Sequence, residues 1–290
     1  MPLDPPAVQS DRTAAAAARP IGVFDSGIGG LSVLRELQAR LPQERFVYWA
    51  DSGHAPYGER GDAFVRARSR AVVDALRIQH QVKAVVIACN TATAAAVEEL
   101  RAAHADLPIV GIEPALKPAA AVSSTGHIGV LATRGTLASA RFRALAERVA
   151  GSAQLHLQAC DGLAEAIERA ITNTPESAKR VRQLIDAHLG ALGPLGAAGG
   201  QIDTLVLGCT HYPLAWPVWA EQVGNQARLM DPAAAVARQL QRVLVAADLL
   251  SHATAVPERL HLVSTGDLAQ LEAAARRWVL NAPDGAETGS

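Results

Sequence analysis

Two cysteines have the type and spacing to do chemistry, because each follows a strongly apolar run and precedes a polar pair. Residues 85–88 lead into Cys89, and residues 205–208 lead into Cys209. Runs rich in Val, Ile and Leu are typical of buried parallel strands, whose carboxyl ends are where open α/β sheets bind ligands. A helix can begin after each cysteine, and its N-terminal amides would stabilise a thiolate. One buried cysteine would more often be inert, but two in equivalent contexts favour acid–base chemistry from both sides of a substrate.

The similarity of the two halves extends beyond the cysteines. Residues 21–27 (IGVFDSG) have a counterpart in residues 128–134 (IGVLATR), which again form an apolar run ending in small polar residues. A glycine-rich stretch at residues 193–200 is typical of a loop insertion in the second half. The sequence therefore predicts an internal duplication, with one α/β unit in each half.

The elements that must position these residues alternate between short apolar runs and longer segments of helical period, which predicts parallel sheets flanked by helices. The strands are expected near residues 21–25, 46–50, 84–89, 108–112, 127–132, 154–159, 202–208, 227–230 and 259–264. The helices are expected near residues 30–41, 61–80, 92–103, 136–149, 161–172, 176–192, 213–223 and 231–249, with one more at the end. The fold class is α/β, with two pseudo-symmetric lobes.

The predicted domain organisation is a first lobe of residues 20–113 plus 229–281 and a second lobe of residues 114–228. The C-terminal part is expected to pack back on the first lobe. Residues 1–19, rich in Pro and Ala, are predicted to be a disordered tail, and residues 282–290 a frayed end.

Composition narrows the function classes. The chain has 290 residues with 27 Lys plus Arg against 28 Asp plus Glu, so no strong field would recruit nucleic acid or an anionic membrane. Its three cysteines lack CxxC spacing, which argues against a disulfide framework or a structural zinc site and favours a reducing compartment. No apolar run approaches the roughly 20 residues of a membrane span. We therefore expect a soluble, cytoplasmic protein with no nucleic-acid or membrane partner.

Other polar segments follow predicted strands. The glycine-rich residues 25–30 allow close backbone approach to a carboxylate or phosphate, or form a tight turn capped by Asp25; they depart from GxGxxG, and no P-loop is present. Residues 51–60 form a second polar loop. His211 could exchange a proton with Cys209, whereas Cys160 is interpreted as structural. No histidine or cysteine falls at metal-ligand spacing around Cys89 or Cys209.

Five ordered blocks, with two weaker ones, carry a resemblance to a known family. They are IGVFDSGIGGLSV (21–33), PYGER (56–60), ACNTA (88–92), GIEPA (111–115) and GCTHYPL (208–214), with weaker matches at residues 132–139 and 264–267. The chain resembles the cofactor-independent, two-cysteine aspartate/glutamate racemases, and within them the glutamate racemases. The resemblance covers about residues 20 to 280.

The resemblance implies an active site in the cleft between the lobes and interconversion of L- and D-glutamate without a cofactor or metal, supplying D-glutamate for peptidoglycan synthesis. It implies that Cys89 deprotonates D-glutamate and Cys209 deprotonates L-glutamate, assisted by Asp25 and His211. A further carboxylate would come from the helix after Cys160, where Glu168 is the best match and Glu165, one turn away, competes. The chain's three lysines, Lys83, Lys117 and Lys179, lie outside any motif of a cofactor lysine.

The resemblance also implies a set of substrate-binding residues made mostly of hydroxyl and amide groups, with helix-start amides holding the two carboxylates. The expected residues are Asp25, Ser26, Tyr57, Gly58, Asn90, Thr91, Thr133, Thr136, Thr210 and His211. Family members are often dimers, so a homodimer is expected.

Three other functions remain open at this point. The protein could be a racemase of the same superfamily acting on aspartate or a hydantoin, although His211 and residues 56–58 favour glutamate. It could be a thiol redox enzyme that joins Cys89 and Cys209, which would require the sulfurs to meet rather than leave room for a substrate. It could also be a binding or regulatory protein with the same fold.

Overall fold

Two parallel β-sheets form the framework of the protein. The structure, a computed structural model, describes residues 15–172, 174–253 and 258–280. The first sheet has five parallel strands in the order β4-β3-β1-β2-β9. Its strands and the helices of the same lobe are β1 (Ile21–Asp25), α1 (Leu31–Arg40), β2 (Phe46–Ala50), α2 (Asp62–His80), β3 (Ala84–Ile87), α3 (Asn90–Ala103) and β4 (Ile109–Gly111), with β9 (Leu260–Ser264) joining later.

The second sheet has four parallel strands in the order β6-β5-β7-β8. The elements of this lobe are α4 (Leu116–Val122), β5 (His127–Ala132), α5 (Arg134–Ala138), α6 (Ala140–Glu147), β6 (Gln154–Ala159), α7 (Leu163–Arg169), α8 (Pro175–Leu192), β7 (Thr204–Gly208), α9 (Trp216–Val223) and β8 (Arg228–Met230). Apart from β9, the two sheets share one strand order, so the expected α/β fold with two pseudo-symmetric lobes is confirmed.

Burial explains why the central strands carry continuous apolar runs. Every residue of β1, β3 and β7 is buried, because helices cover both faces of each sheet. The helices bury one stripe each: α2 packs Val65, Val72 and Leu76 inward. The strands expected from apolar runs therefore appear within one or two residues of their predicted positions.

The strand order indicates where each sheet can bind a ligand. In each sheet the chain leaves the central strand in one direction and returns on its other side, which creates a crevice between β1 and β3 and another between β5 and β7. Such switch points are where doubly wound sheets bind ligands. Cys89 follows β3, and Cys209 follows β7.

The C-terminal part of the chain returns to the first lobe. Strand β9 pairs with β2, and α10 (Ala233–Ala246) packs against α1. Helix α11 (Leu268–Ala275) and a π-helical turn, Arg276–Leu280, follow. The exact domain boundaries remain a prediction, although β8 pairs with β7 and so carries the chain past the expected boundary at residue 229.

Several elements differ from the sequence-based expectation. The helix expected over residues 136–149 is two helices, because Ser139 caps the second by accepting a hydrogen bond from the Phe142 amide. Helix α4 was not predicted. Residues 15–17 are helical and residues 18–19 form a turn and a bend, which corrects the expected disorder for that part of the tail; residues 1–14 and 282–290 lie outside the described residues. None of the helices in the described part of the chain is both long and apolar enough to cross a membrane.

Asp203, the residue just before β7, is expected to make the stability of the fold depend on pH. Burial raises its pKa, but hydrogen bonds from Ser123, Thr125 and Ser124 outweigh burial and hold the pKa well below its ordinary value of 3.8. A depressed folded-state pKa stabilises the fold above the unfolded-state value, and this contribution is lost as the pH falls. We expect Asp203→Asn to unfold more easily than wild type above about pH 5, with the difference shrinking below that pH in urea titrations. A constant difference down to pH 2.5 would contradict this account.

Candidate active site

One cavity of about 220 Å³ lies where the two switch points face each other. Both lobes contribute to its walls, and Cys89 and Cys209 line it from the first and second lobe respectively. The expected site residues on the wall are Ser26, Tyr57, Gly58, Cys89, Asn90, Thr91, Thr133, Glu168, Cys209, Thr210 and His211. The folded chain therefore brings together residues separated by more than half of its length.

Cys89 occupies the N-cap of α3, where its Sγ accepts a hydrogen bond from the Ala92 amide at 3.4 Å. The thiol donates to Ser26 Oγ at 3.7 Å, and Ser26 in turn donates to Asp25 Oδ1 at 3.3 Å. Burial and the charge of Asp25 raise the pKa of Cys89 to about 12, although the Ala92 and Ser26 contacts oppose the shift. Burial thus favours the neutral thiol of Cys89, whereas the contacts with Ala92 and Ser26 favour its thiolate.

Cys209 is paired with an imidazole instead. Its Sγ lies 3.8 Å from His211 Nδ1, and His211 Nε2 lies 2.8 Å from Glu168 Oε2. Burial lowers the pKa of His211, but the hydrogen bonds to Cys209 and Glu168 outweigh burial and raise it well above 6.5. Glu168 therefore makes His211 a stronger base beside the second thiol.

Asp25 lies behind the wall rather than on it. It is fully buried, and it accepts hydrogen bonds from the Gly27 amide at 2.8 Å and from Thr210 Oγ1 at 2.9 Å. Burial raises the pKa of Asp25, and the charge of His211 and these hydrogen bonds offset only part of the effect. Because Thr210 belongs to the second lobe and Asp25 to the first, the hydrogen bond between them also joins the two lobes beside Cys209.

The glycine-rich loop after β1 receives side chains of the second lobe. A Cβ at Gly27 would lie 2.6 Å from Glu168 Oε2, and a Cβ at Gly29 would collide with His211 Nδ1 and Thr210 Oγ1. The side chain of Glu168 therefore lies close to the backbone of this loop. Glycine at these positions leaves space for three side chains, those of Glu168, Thr210 and His211.

Hydroxyl and amide groups line the remaining wall. Thr91 and Thr133, from different lobes, are 3.0 Å apart at their Oγ1 atoms, and Thr136 is hydrogen-bonded to Thr133 from behind without reaching the wall. Asn90 is buried on the wall, and neither its Oδ1 nor its Nδ2 has a partner. A buried amide without partners is costly, because its lost hydrogen bonds to water are not replaced.

The loop after β2 forms another part of the wall. Tyr57 is buried there, and its ring meets Phe24 and Phe64 edge to face. Its hydroxyl donates a hydrogen bond to Asp51 Oδ2 at 2.5 Å. Burial, and to a lesser extent this hydrogen bond, raises the pKa of Tyr57. Gly58 faces the second lobe, where a Cβ would lie 3.0 Å from Thr133 Cβ.

Some wall residues were not predicted. Cys160, interpreted from the sequence as structural, lines the cavity and donates to Gln158 O at 3.6 Å. Arg134 and Asp161 form an ion pair of 2.5 Å near it. The signal was available, since Cys160 follows β6 at the same sheet edge as Cys209. Among the described residues, no group of three or more His, Cys, Asp or Glu side chains could hold a metal ion.

Glu168 and Glu165 have different partners, and this difference gives a test. Glu165 forms an ion pair with Arg169 at 2.6 Å, whereas Glu168 contacts His211. We expect Glu168→Gln to lower the pKa of His211, because the amide removes the negative charge that favours the imidazolium. The matched variant Glu165→Gln should leave it unchanged. An NMR titration of the His211 ring protons measures both, and equal shifts in the two variants would refute the assignment.

The chain is similar to known proteins over most of its length. The model of the Asp/Glu/Hydantoin racemase family matches residues 21–240. The chain is 51% identical over 232 residues to the glutamate racemase of Pseudomonas entomophila (strain L48), which covers 80% of this chain and 84% of the relative. It is 48% identical over 245 residues to the glutamate racemase of Pseudomonas paraeruginosa (strain DSM 24068 / PA7), covering 84% and 89% respectively.

Solved structures show the same architecture. The crystal structure of glutamate racemase isoform RacE1 from Bacillus anthracis matches with a TM-score of 0.76 and 33% identity, covering 90% of this chain and 93% of that one. The Escherichia coli glutamate racemase, solved in complex with L-glutamate and the activator UDP-MurNAc-ala, matches with a TM-score of 0.75 and 31% identity, covering 90% and 96%. On the family match, the sequence identities and the shared fold, this chain belongs to the Asp/Glu/Hydantoin racemase family.

Proposed function

We propose that this protein is a glutamate racemase that interconverts L- and D-glutamate by proton transfer at Cα and supplies D-glutamate for peptidoglycan synthesis. The observation that carries the proposal is the pair of thiols, Cys89 and Cys209, which enter one cavity from different lobes. Inverting a stereocentre by proton transfer needs a base on one face of the carbon and an acid on the other. Relatives at 48–51% identity are glutamate racemases, which supports glutamate as the substrate.

From D-glutamate, we assign the base to Cys89. Its thiolate takes the α-proton, and the Cys209 thiol delivers a proton to the opposite face, so that one C–H bond breaks and one forms. Ionising Cys89 in its buried position is costly, since its pKa is about 12. The Ala92 amide and Ser26 hydroxyl lower this cost, and the ammonium group of a bound amino acid would add positive charge. Cys89 must lose its thiol proton before it can act as the base. The hydrogen bonds from Cys89 to Ser26 and from Ser26 to Asp25 give that proton a nearby acceptor, the carboxylate of Asp25.

From L-glutamate, the roles reverse and Cys209 is the base. His211 lies within 3.8 Å of its Sγ and is held by Glu168, so it can accept or return the thiol proton between turnovers. We therefore assign Asp25 to the Cys89 side and the His211–Glu168 pair to the Cys209 side. Glu165 has no such role in this proposal, because it is paired with Arg169.

We assign the two substrate carboxylates to helix N-termini and uncharged donors. Helix α3 begins at Asn90, α5 begins after Thr133, and residues at both helix starts line the cavity. Asn90 supplies an unpartnered amide side chain. Arg134 and Arg169 also line the cavity, but each is paired with an acidic residue of the protein. The binding residues we propose are Asp25, Ser26, Tyr57, Gly58, Asn90, Thr91, Thr133, Thr136, Thr210 and His211, of which Asp25 and Thr136 act from behind the wall.

The difficult part of the reaction is the weak acidity of the α-proton. No electron sink is proposed, so fixed donors must stabilise the charge that develops on the substrate during proton transfer. Preorganised hydrogen bonds at a low-dielectric site are worth roughly 3–4 kcal/mol each in comparable cases. The cavity between the lobes, lined by Asn90, Thr91 and Thr210, supplies such donors.

Incubation with each enantiomer of glutamate in D₂O tests the function. Loss of optical rotation from both enantiomers, with deuterium entering Cα of the product, is the expected result. Aspartate and a hydantoin serve as comparison substrates. If deuterium entered aspartate alone, aspartate rather than glutamate would be the substrate. If deuterium entered none of these compounds, only a binding function would remain. A disulfide between Cys89 and Cys209 after mild oxidation, with no exchange, would instead support a redox role.

We propose that the protein forms a homodimer, on the basis of its resemblance to dimeric racemases. Sedimentation equilibrium at micromolar concentration is expected to give twice the chain mass of 30.3 kDa. A concentration-independent mass of one chain would refute this.

We propose a cytoplasmic location, which suits the three free cysteines Cys89, Cys160 and Cys209. Fractionation of the source cells is expected to place the racemase activity with cytosolic markers. Recovery of the activity with the cell envelope would refute the location.

A further inference from the structure

The polar loop after β2 is held by a buried carboxylate that does not itself reach the cavity. Asp51 is fully buried, and its Oδ2 accepts from the Tyr57 hydroxyl at 2.5 Å and from Arg68 Nε at 2.9 Å. Its Oδ1 accepts from Arg68 Nη2 and from Thr265 Oγ1, both at 2.9 Å, and lies 3.1 Å from His54 Nδ1. All the strong acceptor positions of the carboxylate are thus in use.

These hydrogen bonds come from three separate parts of the first lobe. Tyr57 belongs to the loop itself, Arg68 to α2, and Thr265 to the turn after β9. Thr265 Oγ1 also accepts from the Gly53 amide at 3.1 Å, so it bridges the loop and Asp51. Burial raises the pKa of Asp51, but the hydrogen bonds from Arg68, Tyr57 and Thr265 outweigh it, and Asp51 remains ionised. A charged, two-pronged Arg contact is strong and geometrically specific.

The loop that Asp51 holds is the one that crosses the cleft. Residues 55–59 all line the cavity. The turn Tyr57–Glu59 contacts α5 of the second lobe, where the Gly58 carbonyl lies so close to Gly135 that a Cβ there would be 3.1 Å from it. Displacing the loop would therefore change the cavity wall and one contact between the lobes together.

We infer that Asp51 is a positioning residue for substrate binding: through Tyr57 and Thr265 it fixes residues 55–59 as a wall of the cavity. The kinetic part of this inference rests on the proposed function. An unordered loop would have to be ordered at the moment of binding, and that entropy cost raises KM. The proton-transfer groups Cys89, Cys209 and His211 have no contact with Asp51, so the chemical step is expected to change less.

Asp203 provides a matched control. It also accepts several hydrogen bonds from hydroxyl and amide groups, but it precedes β7 and so lies at the sheet edge opposite Cys209. Each variant thus removes the charge of a carboxylate that accepts several hydrogen bonds. Asp51→Asn does so next to the cavity, and Asp203→Asn does so far from it. Thr265→Val is a milder change on the Asp51 side, for use if Asp51→Asn does not fold.

Kinetics and hydrogen–deuterium exchange of the full-length protein test the inference. Asp51→Asn is expected to raise KM for glutamate roughly tenfold with kcat within about threefold, and Thr265→Val to raise KM about threefold. Amide exchange at residues 52–60 should accelerate in both, but not in Asp203→Asn, whose KM should match wild type. Unchanged exchange at residues 52–60 in Thr265→Val, or an equal KM increase in Asp203→Asn, would overturn the inference. If wild type has no racemase activity, the proposed function fails, and the exchange rates alone decide whether Asp51 positions the loop.

Discussion

Cys209→Ser is expected to lower kcat/KM for L-glutamate and for D-glutamate by the same factor, on the order of 10³. A serine hydroxyl is a much weaker acid than a thiol, so it neither ionises at neutral pH nor delivers a proton readily. The equality follows from symmetry. Enantiomers have the same free energy in water, so the equilibrium constant is unity and the two values of kcat/KM must stay equal in any variant. Cys89→Ser is expected to behave in the same way.

Isotope effects can show which thiol removes the proton from which enantiomer, whereas the values of kcat/KM cannot because they stay equal. In Cys209→Ser, removal of the α-proton from L-glutamate becomes the slowest step, so the primary deuterium isotope effect on L-[2-²H]glutamate should rise above that on D-[2-²H]glutamate. Cys89→Ser should show the reverse preference. Cys160→Ala, which changes the third thiol of the same cavity, should retain activity within about threefold. Identical isotope effects for both enantiomers in both serine variants would reject the assignment of one base to each face.

Lys83→Met is expected to reduce the free energy of unfolding by roughly 3–5 kcal/mol, because it leaves Glu44 as an unpaired buried charge. Lys83 Nζ lies 2.6 Å from Glu44 Oε2, and the two side chains are only 1% and 2% exposed. Lys83 also donates to the Ala17 carbonyl at 2.5 Å, and Glu44 accepts from the Ser251 amide at 2.8 Å. The pair thus joins the segment before β1 and the segment after α10 to the base of the first sheet.

Urea unfolding with a double variant shows whether the unpaired charge is the cause. Lys83→Met combined with Glu44→Gln keeps an acceptor for Ser251 but removes the charge, and it should recover a large part of the lost stability. Glu221→Gln, which breaks the exposed ion pair with Arg182 at 2.5 Å, should barely move the unfolding midpoint. A double variant no more stable than Lys83→Met would show that packing of the lysine stem, rather than charge, is responsible.

Much of the fold was predictable because its signals are local. The apolar runs at β1, β3, β5 and β7 predicted buried parallel strands, and all four are fully or almost fully buried. Helix boundaries were less accurate, as at Ser139, because one side-chain cap can divide a continuous helical period. Helix α4 was missed because its seven residues are too few to show a period.

The sequence by itself determined the α/β fold, its duplication, the family and the two thiols, because strand periodicity and motif spacing depend only on neighbouring residues. Tertiary structure alone decided which polar groups meet across the lobes. Asp25 and Thr210 bond across 185 residues, and Glu168 rather than Glu165 reaches His211. It also placed Cys160 on the cavity wall and gave Asp51 its partner Thr265, 214 residues away. Such contacts depend on how two lobes and their helices pack in three dimensions, and no local pattern of residue types records that packing.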